Sequence, residues 1–395
     1  MKILIAHFTT HWVSTVGGLE KVICEFANNL LARGYEVVIL YTDKVEGSPY
    51  FLLDKRIKTF NILYEEGRQV ISEKLPLGLR IYREFCRFKG LKSVQAINAK
   101  YKGKMYGNQI KKYIEQCNPD IIVACSGQSI KYVIQDAKCT TIPVIGMIHS
   151  DCHKSIPSLS DAELEAMGKC KVIQVLLPSY VIPCQKYVKG TDIVVIGNVV
   201  NAATCYAKTG ETKANYTIAC VGSLNSNKNQ KLLADAFSLI AKQYPNWNVE
   251  FWGDYHSRAG SIVKKYIEEK HLKQLKIQGT TNAIEDVYAN ADIFCMPSYT
   301  EGFPLALTEA MAAGLPAVGL KICNAVNQLI EDGETGYLVD CTPESLAEGL
   351  KKLIENPNLR KAMGKNAQHS MDKYSPEVIW EQWDRLLNKY SNIQS

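Results

Sequence analysis

No stretch of eighteen apolar residues occurs in the 395-residue chain, so none of it has the length and apolarity of a membrane-spanning helix. A secretory leader is not expected, because the apolar opening at Met1–Ala6 is only strand length. Thirteen cysteines are present, yet no two stand at Cys-x-x-Cys spacing, which argues against a zinc ribbon or a thioredoxin-like redox site. Cys125, Cys220 and Cys295 lie inside apolar runs, where a thiol packs as a small hydrophobe, and the reducing cytoplasm is the expected location. Asp-x-Asp is absent, and the loop after the first apolar run lacks Gly-x-Gly-x-x-Gly, which disfavours a nicotinamide dehydrogenase. A formal charge of +6 is too small to argue for a nucleic-acid partner, and none is expected.

What is present is alternation. Ile3–Ala6 is a short buried run, and a loop follows it. Leu19, Val22, Ile23, Phe26 and Leu30 then fall on one helical face, Gly34 stops that helix, and Val37–Leu40 is a second buried run. Strand, helix and strand within forty residues form a βαβ unit and imply a parallel sheet. Further strands are expected at Ile121–Ala124, Val144–Ile148 and Ile193–Ile196, which makes residues 1–200 one α/β domain. Residues 201–215 lack apolar periodicity and read as a linker. Alternation resumes over residues 216–374, with strands at Thr217–Val221, Val249–Trp252, Lys276–Gln278, Ile293–Met296 and Ala317–Leu320. Helices are expected at Gln230–Gln243, Ser261–Lys270 and Leu305–Ala313. Residues 375–395 form a last helix, with Ser375 as N-cap and Pro376 in the first turn; Trp380 and Trp383 give it apolar surface either for ordinary packing or for crossing back to the first domain. Open α/β sheets bind ligands at their carboxyl ends, so two such domains place a central cleft between them.

The most informative segment runs from Pro297 to Gly314. A buried strand ends near Met296, Pro304 takes the first helical position, and Gly314 ends the helix. First-turn amides have no intrahelical partner, so the N–H groups of Phe303, Leu305 and Ala306 point out of the helix start and, with the dipole, suit a diphosphate. Glu301 stands in the loop before them, and Glu309 lies a turn and a half inside. Carboxylates accept hydrogen bonds from vicinal hydroxyls, and that spacing offers one acid to a ribose and the other to a sugar.

Glu301-Gly302-Phe303-Pro304-Leu305 followed by Glu309-Ala310-Met311-Ala312 resembles the signature of glycosyltransferase family 4, retaining enzymes of the GT-B architecture. The resemblance is strongest over residues 1–40 and 216–340. It implies two Rossmann-like domains, the first binding an acceptor and the second a nucleotide sugar, most readily a UDP-sugar. Gly17-Gly18-Leu19-Glu20 resembles the family's Gly-Gly-x-Glu loop, with Gly18 near the phosphates. His149 resembles the histidine that contacts the donor sugar, and Ile277 to Gly279 match the segment that borders the base. Val221-Gly222-Ser223-Leu224 with Lys228-Asn229 resembles the Gly-Arg-Leu … Lys-Asn loop; Ser223 replaces the usual arginine, which leaves Lys228 to carry the positive charge. Gln328 stands where an acid is more usual. Tyr288-Ala289-Asn290-Ala291-Asp292 matches the run that leads into the signature loop. The implied catalytic residues are His149, Lys228 and Glu301. The implied donor contacts are Gly18, Ser223, Lys228, Ile277, Gly302, Phe303, Pro304, Leu305 and Glu309.

No cofactor is expected beyond the nucleotide sugar as co-substrate, and no metal. His149, Asp151, Cys152 and His153 cluster in sequence, but no fourth ligand has suitable spacing. The expected reaction passes a sugar, with retention, to a saccharide or lipid-linked saccharide in surface polysaccharide or glycolipid synthesis. A nucleotide-sugar epimerase of the same architecture, or a non-catalytic partner that binds nucleotide sugar, would share these motifs. Between Arg80 and Tyr113 stand Arg80, Arg83, Arg87, Lys89, Lys92, Lys100, Lys102, Lys104, Lys111 and Lys112 against a single acid, Glu84, with Tyr82, Phe85, Phe88, Tyr101 and Tyr106 among them. A solvated basic face has this composition; so does a surface that lies on anionic lipid, which would suit a lipid-linked acceptor at the inner face of a membrane.

Overall fold

Strands buried on both faces read as continuous apolar runs, and those runs form the two large sheets of this protein. The structure, a computed structural model, describes residues 1–8, 12–14, 17–72, 74–88 and 94–391. It divides into two compact units, Met1–Ile196 with Trp383–Ser395, and Gly197–Gln382.

In the first unit the strands are β1 (Lys2–His7), β2 (Glu36–Tyr41), β3 (Lys58–Asn61), β4 (Ile121–Ala124), β5 (Val144–Ile148), β6 (Val172–Val175) and β7 (Asp192–Val195). They form one parallel sheet in the order β3-β2-β1-β4-β5-β6-β7. Ile5 pairs with Ile39 on one side and Val123 on the other, and all three are fully buried. Each such side chain contributes roughly 1.5–3 kcal/mol by leaving water. Chain order reverses between β1 and β4, which makes the loops after those strands the natural ligand position. Helix α1 (Gly18–Ala32) follows β1, with Gly17 as its N-cap.

The second unit repeats the plan. Strands β8 (Tyr216–Val221), β9 (Trp247–Trp252), β10 (Leu275–Gly279), β11 (Ile293–Met296), β12 (Ala317–Leu320) and β13 (Gly336–Val339) form a parallel sheet in the order β10-β9-β8-β11-β12-β13. Its switch point lies between β8 and β11. Phe237, Phe251, Ile293 and Val318 are among the core residues of this unit. The α/β class expected from sequence holds, with two Rossmann-like domains.

Three strands of the two large sheets were missed in the sequence, for visible reasons. β3 reads Lys-Thr-Phe-Asn and is only partly buried, β6 carries Gln174, and β13 opens on a glycine. Residues 201–215, expected as a linker, are fastened to the second unit instead. The Ala207 amide donates to the Ala313 carbonyl (2.8 Å), buried Arg360 donates to the Thr209 carbonyl (3.0 Å), and Lys213 pairs with Asp292 (2.9 Å). Polar anchors of this kind leave no apolar period to read.

The basic region folds as α2 (Leu77–Phe88) and α3 (Val94–Cys117); Lys89 and Lys92 lie outside the described residues. Its aromatic residues do not share one surface. Tyr82, Phe85 and Phe88 are exposed, whereas Tyr106 is buried against Tyr132. The last helix, α4 (Pro376–Ser391), begins after Ser375, whose hydroxyl accepts from the Val378 amide (3.4 Å). Its later residues belong to the first unit: Trp383 packs on Phe26 of α1, and Asp384 meets Arg33 at 3.5 Å.

Candidate active site

Two loops at the switch point of the second unit carry the candidate chemistry. The first, after β8, begins at Gly222, whose φ is +144°. A Cβ there would lie 3.4 Å from Cε of Lys228. Gly253, after β9, has φ +141°, and a Cβ on it would stand 2.4 Å from the Gly222 carbonyl oxygen. Glycine at both strand ends is therefore what lets the two turns close on one another. Beyond them the Asn225 side-chain oxygen accepts from the amides of Asn227 and Lys228, each at 3.0 Å. That Asx turn sets the backbone from which Lys228 projects. Ser223 is exposed, and its hydroxyl accepts from the Asn225 side-chain Nδ2 (3.0 Å).

The second loop follows β11 and leads into the helix Leu305–Ala312. Pro304 is the N-cap of that helix, with ψ 93°, and Leu305 is its first residue, one position later than expected. The chemistry is unchanged. The first backbone bonds run from Leu307 (3.0 Å) and Thr308 (3.1 Å) to the Pro304 carbonyl, so the Leu305 and Ala306 amides precede the ladder and point out of its positive end. Asn227 ties the two loops together by donating to the Thr300 carbonyl (2.8 Å) and accepting from the Tyr299 amide (2.8 Å).

Across this seam Lys228 Nζ meets Glu301 Oε1 at 2.7 Å, with the side chains 24% and 11% exposed. Two of the three residues expected to be catalytic, Lys228 and Glu301, are thus brought together as an ion pair in a half-buried setting, where the Coulomb term exceeds that of a surface pair. Glu309 stands inside the helix and accepts a hydrogen bond from the Tyr288 hydroxyl at 2.9 Å. Tyr288 is buried, and its hydroxyl is pushed well above its ordinary pKa, first by burial and then by Glu309, so it remains a donor. Phe303 is buried, edge-on to Tyr374 at 5.1 Å. Ile277 is half-buried and packs against the core of the unit, so its backbone, not its side chain, is what a ligand could meet.

His149 and Gly18 belong to the first unit. His149 follows β5; its Nε2 is buried with no hydrogen-bond partner among the described residues. Burial lowers its pKa to about 4 and keeps the ring neutral. His7, the last residue of β1, is lowered further to about 3, by burial and then by His149. Glu20 Oε1 lies 4.0 Å from His7 Nε2; with His7 neutral, this is a polar contact and not an ion pair. Gly18 opens α1, but the tight position is Gly17, where a Cβ would stand 2.1 Å from Glu20 Oε2. Asp151 caps a short helix by accepting from the His153 amide (3.0 Å), and His153 is exposed. Among the described residues no three His, Cys, Asp or Glu side chains converge as a ligand set.

Residues 206–370 match the family described as glycosyl transferases group 1. Over 394 residues the chain is 26% identical to an uncharacterized glycosyltransferase of Haemophilus influenzae, covering 95% of this chain and 97% of that one. It is 29% identical over 204 residues to the amylovoran biosynthesis glycosyltransferase AmsD of Erwinia amylovora, covering 50% of this chain and 56% of that relative. Among solved structures, Anabaena HepE in complex with UDP and glucose superposes with a TM-score of 0.73 at 17% identity, covering 98% of this chain and 99% of that one. Fold and sequence likeness are those of a GT-B glycosyltransferase. In this GT-B chain the matched residues 206–370 contain both loops, the Lys228–Glu301 pair and Glu309. Sequence reading missed the partners that aim those groups, namely Tyr288 for Glu309 and Asn225 with Asn227 for Lys228. Tyr288 stood in the run before the signature, and the two asparagines flank Ser226; nothing in either pattern names a contact partner.

Proposed function

We propose that the protein moves a sugar from a nucleoside-diphosphate sugar to a saccharide or lipid-linked saccharide acceptor, with retention at the anomeric carbon as in family 4. Nucleotide-sugar binding is assigned to the second unit and acceptor binding to the first. The observation that carries this reading is the Lys228–Glu301 pair at 2.7 Å in the loops that lead into a helix whose Leu305 and Ala306 amides precede its hydrogen-bond ladder. A diphosphate offers Lys228 and those amides a better anion than one carboxylate. Its arrival draws Lys228 away from Glu301 and leaves that acid to accept hydroxyls of the sugar. Glu309, held by Tyr288, grips the ribose diol. Gly302, Phe303, Pro304, Ser223 and the backbone at Ile277 line the same donor.

In the transfer the bond from the anomeric carbon to the diphosphate oxygen breaks as the acceptor oxygen bonds to the same face of that carbon. The acceptor proton passes to the departing phosphate oxygen. Charge that develops on the diphosphate is stabilised by Lys228 and the helix amides, with no metal assigned a part. His149, neutral, supplies one hydrogen bond to a sugar hydroxyl. A UDP-sugar is the favoured donor, which is in keeping with UDP bound in the solved relative above. The likeness to an amylovoran glycosyltransferase favours an acceptor in surface polysaccharide synthesis, and the basic region of the first unit favours one presented at an anionic membrane.

A thermal-shift screen across UDP-, GDP- and ADP-sugars tests the assignment, because a ligand that binds only the folded state raises its melting temperature. A rise with one UDP-sugar that is lost in Glu309→Ala is expected. Finding inverted product by NMR would remove the retaining mechanism.

A further inference from the structure

Helix α2 carries a second, separate arrangement. Leu77, Ile81, Phe85 and Phe88 recur at spacings of four, four and three residues and are 71%, 63%, 52% and 91% exposed. At 100° per residue these four fall within one narrow stripe. Cys86, which is buried, lies on the opposite side of the helix, so the stripe faces away from the body of the first unit. Arg80, Arg83 and Arg87 form a row along one flank. The acid on that flank, Glu84, is matched by Arg83 (2.9 Å) and Arg87 (3.0 Å). Large apolar residues standing together in water mark an interaction surface, and arginines beside them mark the sign of its partner.

At the root of this helix is a cavity of about 390 Å³ lined by Lys74, Arg80, Arg83 and Lys102 together with Asn98 and Tyr101. Among the described residues no carboxylate lines it. The side-chain oxygen of Asn98 is buried without a hydrogen-bond partner among the described residues, and a turn of that amide would present its NH₂ as a donor. Arg83 already carries Glu84, so the hollow's cationic lining of Lys74, Arg80 and Lys102, with the amide beside it, is what suits a phosphate.

We propose that α2 lies in the interface of an anionic bilayer, its Leu77–Phe88 stripe among the acyl chains, and that the neighbouring cavity holds the phosphate of an anionic lipid headgroup. The stripe decides between sources of phosphate, because a site for a free phosphate ion has no use for four exposed apolar side chains. This deepens the reading of a membrane-borne acceptor, but its test is independent of sugar transfer. It also narrows the basic region expected from sequence, since Tyr106 of α3 is in the core and Lys112 is engaged by Glu65.

The experiment is sedimentation of the full chain with vesicles of phosphatidylcholine alone and with phosphatidylglycerol added, at low and high salt. Anionic vesicles are expected to carry the protein down at low salt and release it at high salt. Phe85→Ser with Phe88→Ser should abolish pelleting. Arg80→Gln with Arg83→Gln should weaken it by on the order of tenfold or more, since each basic residue near such a surface is worth roughly fivefold. Phe85, Phe88 and Arg80 are exposed and Arg83 is half-buried, and an unchanged melting temperature and UDP-sugar shift will show that fold and donor site are intact. The proposal is overturned if no vesicle binds at low salt, or if the serine variant pellets as the parent does. Stabilisation by inorganic phosphate without vesicle binding would make the cavity a free-phosphate site and overturn it too. So would a dimer in ultracentrifugation that the serine variant dissolves, because the stripe would then belong to a second copy.

Discussion

The two units share a strand order and differ in what they place at the switch point. In the second, a lysine and a glutamate meet across two loops while still partly in contact with water. In the first, His7 is fully buried and His149 is half-buried with its Nε2 out of water, and desolvation holds both neutral, His7 at about 3 and His149 at about 4. One arrangement suits a ligand that brings charge, because Lys228 can exchange Glu301 for a phosphate at little cost. The other suits hydroxyls, because a buried neutral imidazole offers one donor and one acceptor and repels no proton. The same scaffold thus carries opposite electrostatics, decided by a few side chains at strand ends.

The largest effect that would sharpen this contrast is expected from Lys228→Ala. Loss of a charge aimed at the leaving group should lower kcat by roughly 10²–10³-fold. A change below threefold in steady-state assays would remove the lysine from the chemistry. Glu301→Gln in the same background should recover stability, by removing the half-buried charge that Lys228 had balanced, without recovering turnover.

Acid should find the first unit. The folded pKa of His149 lies below the ordinary 6.5, so between pH 6.5 and about 4 the unfolded chain holds more protons than the native one. Stability contributed at neutral pH is lost as pH falls through that window, by roughly 3 kcal/mol for this residue at its lower end. Denaturant titrations of the parent and of His149→Gln should converge as pH falls. Equal slopes with pH would contradict a histidine held neutral by desolvation.

A smaller effect is expected at Gly253→Ala, whose Cβ would press on the Gly222 carbonyl at 2.4 Å. The strain should cost about 1–3 kcal/mol in calorimetry and move Lys228 out of register, so turnover should fall even below the melting transition. Smallest is Tyr288→Phe. Removing its 2.9 Å hydrogen bond should loosen the aim of Glu309, cost about 1 kcal/mol, and raise the donor KM severalfold with kcat nearly unchanged. A fall in kcat alone would place Glu309 elsewhere in the reaction.

Much of the scaffold was legible because its signals are local. Ile3–Ala6, Val37–Leu40 and Ile293–Met296 are apolar runs bounded by polar residues, and Gly314 ends its helix with φ +84°, a conformation glycine adopts freely. The signature from Glu301 to Glu309 could be read for the same reason, since its spacing and its loop-to-helix setting lie within one short segment. β3 was not legible, being a partly buried edge strand, and neither were residues 201–215, whose anchors Ala313, Arg360 and Asp292 lie far along the chain.

By itself the sequence determined which segments become strands and helices, where two α/β units arise, and which acids and lysine stand near helix starts. Period, capping and apolar run length are properties of neighbours in the chain. Only the tertiary structure decided that Lys228 meets Glu301 across 73 positions, that Tyr288 aims Glu309, and that the stripe on α2 faces outward while Tyr106 turns in. Those pairings depend on which loops the strand order brings side by side and which faces the sheet leaves uncovered, and a linear pattern of residue types carries neither.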